Sequence, residues 1–225
     1  MTEQTEAVTR DNGPEPFRLG YCLLVSAIGI AGIIAIALID QYLGAETRSI
    51  PVIAAMDYVA HLATTFILLA AFLRVVSYYF LAGAVVGSLI LDVGHIPILL
   101  SDIEFTQITS RPSSHSLLVA LVFILPILLT RGRYQALFVG ICFGNAFHLF
   151  RDAATGGIPL WWPFSASSVE LAYAPYVMTL TIFALMPMAG AFIARSNVSI
   201  IMTDSSRTSS KPDQSPREQQ NQSSA

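Results

Sequence analysis

"LGYCLLVSAIGIAGIIAIALIDQYL", residues Leu19–Leu43, carries a single charged residue, Asp40, in its whole length. A helix needs roughly 20 apolar residues to cross ~30 Å of hydrocarbon, and this run supplies them. It is too long for the core of a signal peptide and follows a polar lead, residues 1–18, so it reads as a retained anchor rather than a cleaved leader. The run therefore predicts a membrane protein, and the rest of the chain agrees. Of 225 residues, 54% are hydrophobic and 12% charged, against about 25% charged in an ordinary soluble domain.

Five further apolar stretches follow: Ile50–Phe72, Tyr78–Leu100, His115–Thr130, Tyr134–Phe150 and Ala172–Ala194. The fold class is an all-α, polytopic membrane helix bundle of about six transmembrane helices. The fourth and fifth are short, either thin spans or a re-entrant hairpin. Pro126 and Pro187 are expected to kink their helices. The membrane domain is placed at 19–195, between an N-terminus (1–18) and a Ser/Gln/Pro/Arg-rich tail (196–225) that cannot bury enough surface to order themselves. Cys22 and Cys142 sit inside apolar runs as small packing residues. The net charge of −3 argues for no nucleic-acid partner.

Basic residues set the orientation. With the N-terminus in the cytoplasm, inner segments hold Arg10, Arg18, Arg74, Arg131, Arg133, Arg195, Arg207, Lys211 and Arg217, and outer ones only Arg48, Arg111 and Arg151. Both termini are thus expected inside. On that topology the four histidines, His61, His95, His115 and His148, all fall toward the outer leaflet, together with Asp57, Asp92, Asp102 and Asp152. Ionisable groups in a bilayer cost about 2.5–3.5 kcal/mol each on insertion scales and usually face a cavity or a partner.

Pairs one helical turn apart, Asp57/His61, Asp92/His95 and His148/Asp152, present both groups on one face. Neutral imidazoles with carboxylates make a good site for Zn2+ or a similar divalent metal. The same residues would also serve a proton relay, or only glue helices together. Arg111 stands at the mouth of the fourth span, where it can snorkel to headgroups or bind a phosphate or developing oxyanion. Ser114 and Ser116 flank His115 as capping or supporting hydrogen-bonders. Gly156, Gly157 and Pro159 turn the chain after Asp152, and Trp161, Trp162 and Phe164 suit an aromatic belt.

In combination these elements resemble the YdjM/YbcI family of bacterial inner-membrane proteins of the LexA-regulated type, to which metal-dependent hydrolase activity is ascribed by inference. The resemblance covers roughly residues 57–164. It lies in the early His61, in "LDVGHIP" (Asp92, His95, Pro97), in "SRPSSHS" (Arg111, His115, Ser116) and most specifically in "HLFRDAATGGIPLWWPF" (His148, Asp152, Thr155, Gly157, Ile158, Trp162, Pro163). The chain departs from the pattern at three places: Gly94 stands where the family has a second acidic residue, Pro112 where it has Gly, and Ser114 where it has Thr.

What the resemblance implies is a metal centre ligated by His61, His95, His115, His148 and Asp152. Asp92 and Arg111 would act in catalysis, with Asp57, Ser116 and Thr155 as supporting hydrogen-bonders. Metal-activated water would attack an ester, phosphoester or amide of a lipid or lipid-linked substrate. Two readings of other classes stay open: a proton- or metal-handling transport protein, and a non-catalytic membrane scaffold.

Overall fold

The computed structural model describes residues 19–44, 50–95, 111–165 and 167–208. The N-terminal lead, Arg48, Pro97, Asp102 and the tail beyond Thr208 lie outside the described residues. Within them the chain is helical, with one isolated antiparallel bridge between Ile158 and Val169. The helices are α1 (Leu19–Leu43), α2 (Ile50–Leu69), α3 (Tyr78–Ile90), α4 (Leu117–Val122), α5 (Ile124–Leu129), α6 (Arg133–Thr155) and α7 (Tyr173–Thr208). A 3₁₀ turn extends α2 through Ala70–Phe72, another extends α3 through Leu91–Gly94, and a third, Ser113–His115, precedes α4.

Three of these helices, over Leu19–Leu43, Val52–Phe72 and Tyr173–Ile193, are long and apolar enough to cross a membrane. The burial pattern is that of a lipid-facing surface. Leu24, Ile28, Leu38, Leu125 and Leu128 are 58–75% exposed, while His61, Thr64, Ser88, Asn145, His148 and Asp152 are wholly shielded. Water would drive the opposite sorting; hydrocarbon tolerates exposed leucine and demands that polar groups turn inward.

The fourth and fifth spans differ from expectation in opposite ways. The fourth breaks at Phe123 into α4 and α5. Pro126 has no N–H to offer the Val122 carbonyl four residues back, and Val122 is where α4 ends. Together the two pieces span only about 20 Å, so this segment is the short one. The fifth is not short: α6 has 23 residues and runs past Phe150 to Thr155. Arg151 and Asp152 do not stop it, because both are buried and paired inside the bundle. Helix α7 likewise continues past 195 to Thr208, with Pro187 inside it.

Two kinds of packing hold the bundle. Ile36 of α1, Ala60, Ile67 and Leu68 of α2, and Tyr176, Leu180 and Ala184 of α7 form one apolar core. Between α3 and α6 the backbones themselves touch. A Cβ on Gly83 would overlap the Leu137 carbonyl oxygen, and one on Gly87 that of Ile141. Reciprocally, Gly140 lies on Phe80 and Gly144 on Ala84. This is the small-xxx-small approach of membrane helices, made in both directions. The glycine faces continue directly into the polar residues: Gly140, Gly144, His148 and Asp152 follow at intervals of four on α6, as do Ala84, Ser88 and Asp92 on α3 and its 3₁₀ extension.

Candidate metal centre

At the end of the bundle where α1 finishes and α2 begins, four elements deliver the histidines: α2 carries His61, the end of α3 His95, the turn before α4 His115, and α6 His148. His61, His115 and His148 meet around Asp152, and His95 stands outside that group, against Asp92. Asp152 Oδ2 lies 3.0 Å from His148 Nε2 and 3.2 Å from His115 Nε2, and its Oδ1 3.3 Å from His61 Nε2. Asp92 stands beside them, its Oδ1 3.3 Å from His115 Nε2 and 3.5 Å from both His148 Nε2 and His95 Nδ1. His61 stacks on His148 with ring centroids 3.8 Å apart. His95, the one partly exposed histidine, lies edge-on to His115 at 5.1 Å.

The far nitrogens of two rings are committed elsewhere. His148 Nδ1 donates to the Ser88 carbonyl at 2.8 Å. Ser114 donates its hydroxyl to the Leu91 carbonyl at 3.0 Å, and so can only accept from His115 Nδ1 at 3.1 Å. Both imidazoles therefore turn an Nε2 lone pair inward when neutral, the arrangement that orients metal-ligating histidines. The inward atoms are poorly satisfied by one another: His148 Nε2, both nitrogens of His61 and both oxygens of Asp152 are buried without a well-formed hydrogen bond. Such orphaned polar groups are costly. The ligand atoms of His115, His148 and Asp152 lie within 4.8 Å of one another, as do those of His61, Asp92 and His148, of Asp92, His95 and His115, and of Asp57, His61 and Asp152. Neutral imidazoles and carboxylates at this spacing fit a divalent first-row metal.

Of the two serines read as capping or supporting hydrogen-bonders, each takes one role. Ser116 caps α4, accepting from the Val119 N–H at 3.4 Å; Ser114 is the serine that orients His115. Thr155 donates to the Arg151 carbonyl at 3.2 Å and accepts from Arg111 Nη2 at 3.5 Å, so it steadies Arg111 rather than Asp152 directly. Gly156 closes α6 by donating its N–H to the Asp152 carbonyl, and Gly157, at φ +73°, makes the turn that a side chain would resist. Gly94 has no room for an acid: a Cβ there would overlap Ser114 Oγ.

Arg111 reaches in between Asp57 Oδ2 at 3.3 Å and Asp152 Oδ1 at 2.9 Å. Burial opposes its charge, but the carboxylates of Asp152, Asp57 and Asp92 outweigh burial and raise its pKa above the ordinary arginine value. Two residues escaped the sequence reading. Arg151, 1% exposed, grips Asp40 with two contacts of 2.7 and 3.2 Å and reaches Asp57 Oδ1 at 3.2 Å. Asp40 also accepts from Tyr173 Oη at 2.8 Å. The signal was present: Asp40 is the only charge in the first span, and an intramembrane charge asks for a partner. A cavity of about 390 Å³, lined in part by Asp40, Asp57, Arg111, Arg151, Thr155 and Tyr173, adjoins the cluster on this side.

Fold and site together define a polytopic membrane helix bundle enclosing a histidine–aspartate cluster. A family model described as YdjM inner membrane protein matches residues 56–206, more than half of the chain and all four histidines, and the chain belongs to that family. Neither a curated protein nor a solved structure matches it.

Proposed function

We propose that this protein is a membrane-embedded, metal-dependent hydrolase acting on an ester, phosphoester or amide of a lipid or lipid-linked substrate. The observation that carries the reading is the convergence of His115 and His148 Nε2 on Asp152 Oδ2 at 3.2 and 3.0 Å, with each ring's Nδ1 fixed from behind. His115, His148 and Asp152 would hold the metal, Zn2+ being the natural choice for this donor set, with His61 and His95 flanking them. Such a metal lowers the pKa of a water toward 7 and polarises a carbonyl or phosphoryl oxygen.

The chain's own residues supply the rest. Asp92, within 3.5 Å of His115, His148 and His95, is positioned to take a proton from water and return it to the leaving group. Arg111 borders the cluster and the 390 Å³ cavity, where its guanidinium would offset negative charge developing on the substrate. Ser114 and the Ser88 carbonyl keep the two imidazoles in one orientation throughout. Exposed Trp161, Trp162 and Phe164 would seat this end at headgroup depth, which favours a substrate with a lipid portion. The distribution of basic residues supports a topology with both termini in the cytoplasm and the centre toward the extracytoplasmic leaflet.

A transport protein would require a polar path through both leaflets, and the inner portions of the spans carry almost no ionisable residue. Metal analysis of the purified wild type and of His115→Ala and His148→Ala tests the reading. Tightly held metal in the wild type, lost in both variants, is expected; a metal-free wild type after purification without chelator would overturn it.

A further inference from the structure

The two carboxylate oxygens of Asp152 face different neighbours. Oδ2 looks toward His115 and His148. Oδ1 looks the other way, toward His61 Nε2 at 3.3 Å and Arg111 Nη2 at 2.9 Å. On that side Asp57 Oδ2 lies 3.5 Å from the same His61 nitrogen and 3.3 Å from Arg111 Nη1. We propose that Asp57, His61 and Oδ1 of Asp152 form a second divalent-cation site, bridged to the first by the Asp152 carboxylate, for which Arg111 is the built-in competitor. The inference rests on the reading of the first site as a metal centre.

Three observations support it. First, His61 is 1% exposed and neither ring nitrogen makes a hydrogen bond, although carboxylate oxygens lie within 3.5 Å of Nε2. A buried imidazole so placed loses its hydration without a well-formed hydrogen bond in return, and a cation shared with the two carboxylates would restore what it lacks. Second, Asp57 and Asp152 both turn an oxygen toward the same point, and a cationic group, the Arg111 guanidinium, already answers that concentration of negative charge. Third, Arg111 lines the adjoining cavity with Thr155 and Asp57, so it has space into which to withdraw. With two carboxylates and one imidazole, the donor set is harder than that of the first site and suits Mn2+ as well as Zn2+. Loading this site would free the guanidinium from Asp152 and turn it toward the cavity where a substrate would lie.

The test is Mn2+ titration of the full-length protein in detergent after chelator treatment, following stoichiometry by elemental analysis and metal–metal proximity by electron paramagnetic resonance. The wild type should bind one ion tightly and a second more weakly, with an exchange-coupled spectrum when both are present. Arg111→Gln should tighten the second ion roughly tenfold or more, by removing a positive charge a few ångströms away. Arg111→Lys, which keeps the charge, should behave like the wild type. Asp57→Asn should abolish the second ion and spare the first. One ion per chain in both wild type and Arg111→Gln would overturn this proposal while leaving the hydrolase reading intact; no ion in the wild type would overturn both.

Discussion

The rings of His61 and His148 lie face to face, their centroids 3.8 Å apart and their planes 5° from parallel. They come from α2 and α6, and neither ring is accessible to solvent. Two stacked imidazolium ions would repel each other strongly in such a place, so the two rings do not both carry a charge, and neutral imidazole is the form that binds metal.

The orientation of His115 depends on Ser114. Ser114→Ala removes the acceptor for Nδ1 and should weaken metal binding about 10–100-fold, measured by competition with a chromophoric chelator. Gly94→Ala should also reduce metal affinity, because its Cβ meets Ser114. Gly94→Ala combined with Ser114→Gly should cost less than the two single losses added together, since the clash disappears.

Contact between α3 and α6 leaves no space for side chains. Gly87→Val or Gly144→Val must push the backbones apart, at a cost of about 3 kcal/mol, the upper end of the overpacking range. Thermal unfolding in detergent should show the loss, and metal content should fall with it, because Asp92 and Asp152 lie on the separated faces.

Arg151 is buried between Asp40 and Asp57, both partly exposed, and the trio should be sensitive to its removal. Arg151→Met leaves Asp40 with Tyr173 and Asp57 with Arg111 and His61, and should destabilise the bundle by about 1–3 kcal/mol. Adding Asp40→Asn to Arg151→Met should recover part of that, as read by the midpoint of thermal unfolding.

Orientation has its own test. A cysteine in place of Ser113, beside the cluster, should react with a membrane-impermeant maleimide in intact cells. One in place of Ser205, on the distal part of α7, should react only after lysis. Labelling of Ser205→Cys alone in intact cells would reverse the assignment of sides.

Much of this was legible in the chain. Apolar runs such as Leu19–Leu43 announce helices because hydrocarbon enforces the pattern, and His61, Asp92, His95, His115 and His148 stand out because a bilayer makes each of them expensive. Pairs one turn apart, such as His148 and Asp152, declare a shared face. Arg151 did not declare itself: next to Asp152 it looked like a loop charge, and its partner Asp40 is 111 residues away. The length of α6 was hidden for the same reason, since a charge ends a span only if nothing inside receives it. Nor could the contact of Gly94 with Ser114, twenty residues on, be read from the chain.

The backbone contact of α3 and α6, made at Gly83, Gly87, Gly140 and Gly144, also bears on ion choice. Main chains already touching cannot be squeezed closer, and sliding by one residue would carry every side chain about 1.5 Å along and 100° around the helix. Half the coordination cage is therefore fixed like the jaw of a vice, with Asp92 on one plate and His148 and Asp152 on the other. Adjustment to a cation of larger radius is left to the opposite wall, where Asp57, His61 and Arg111 carry no such restraint.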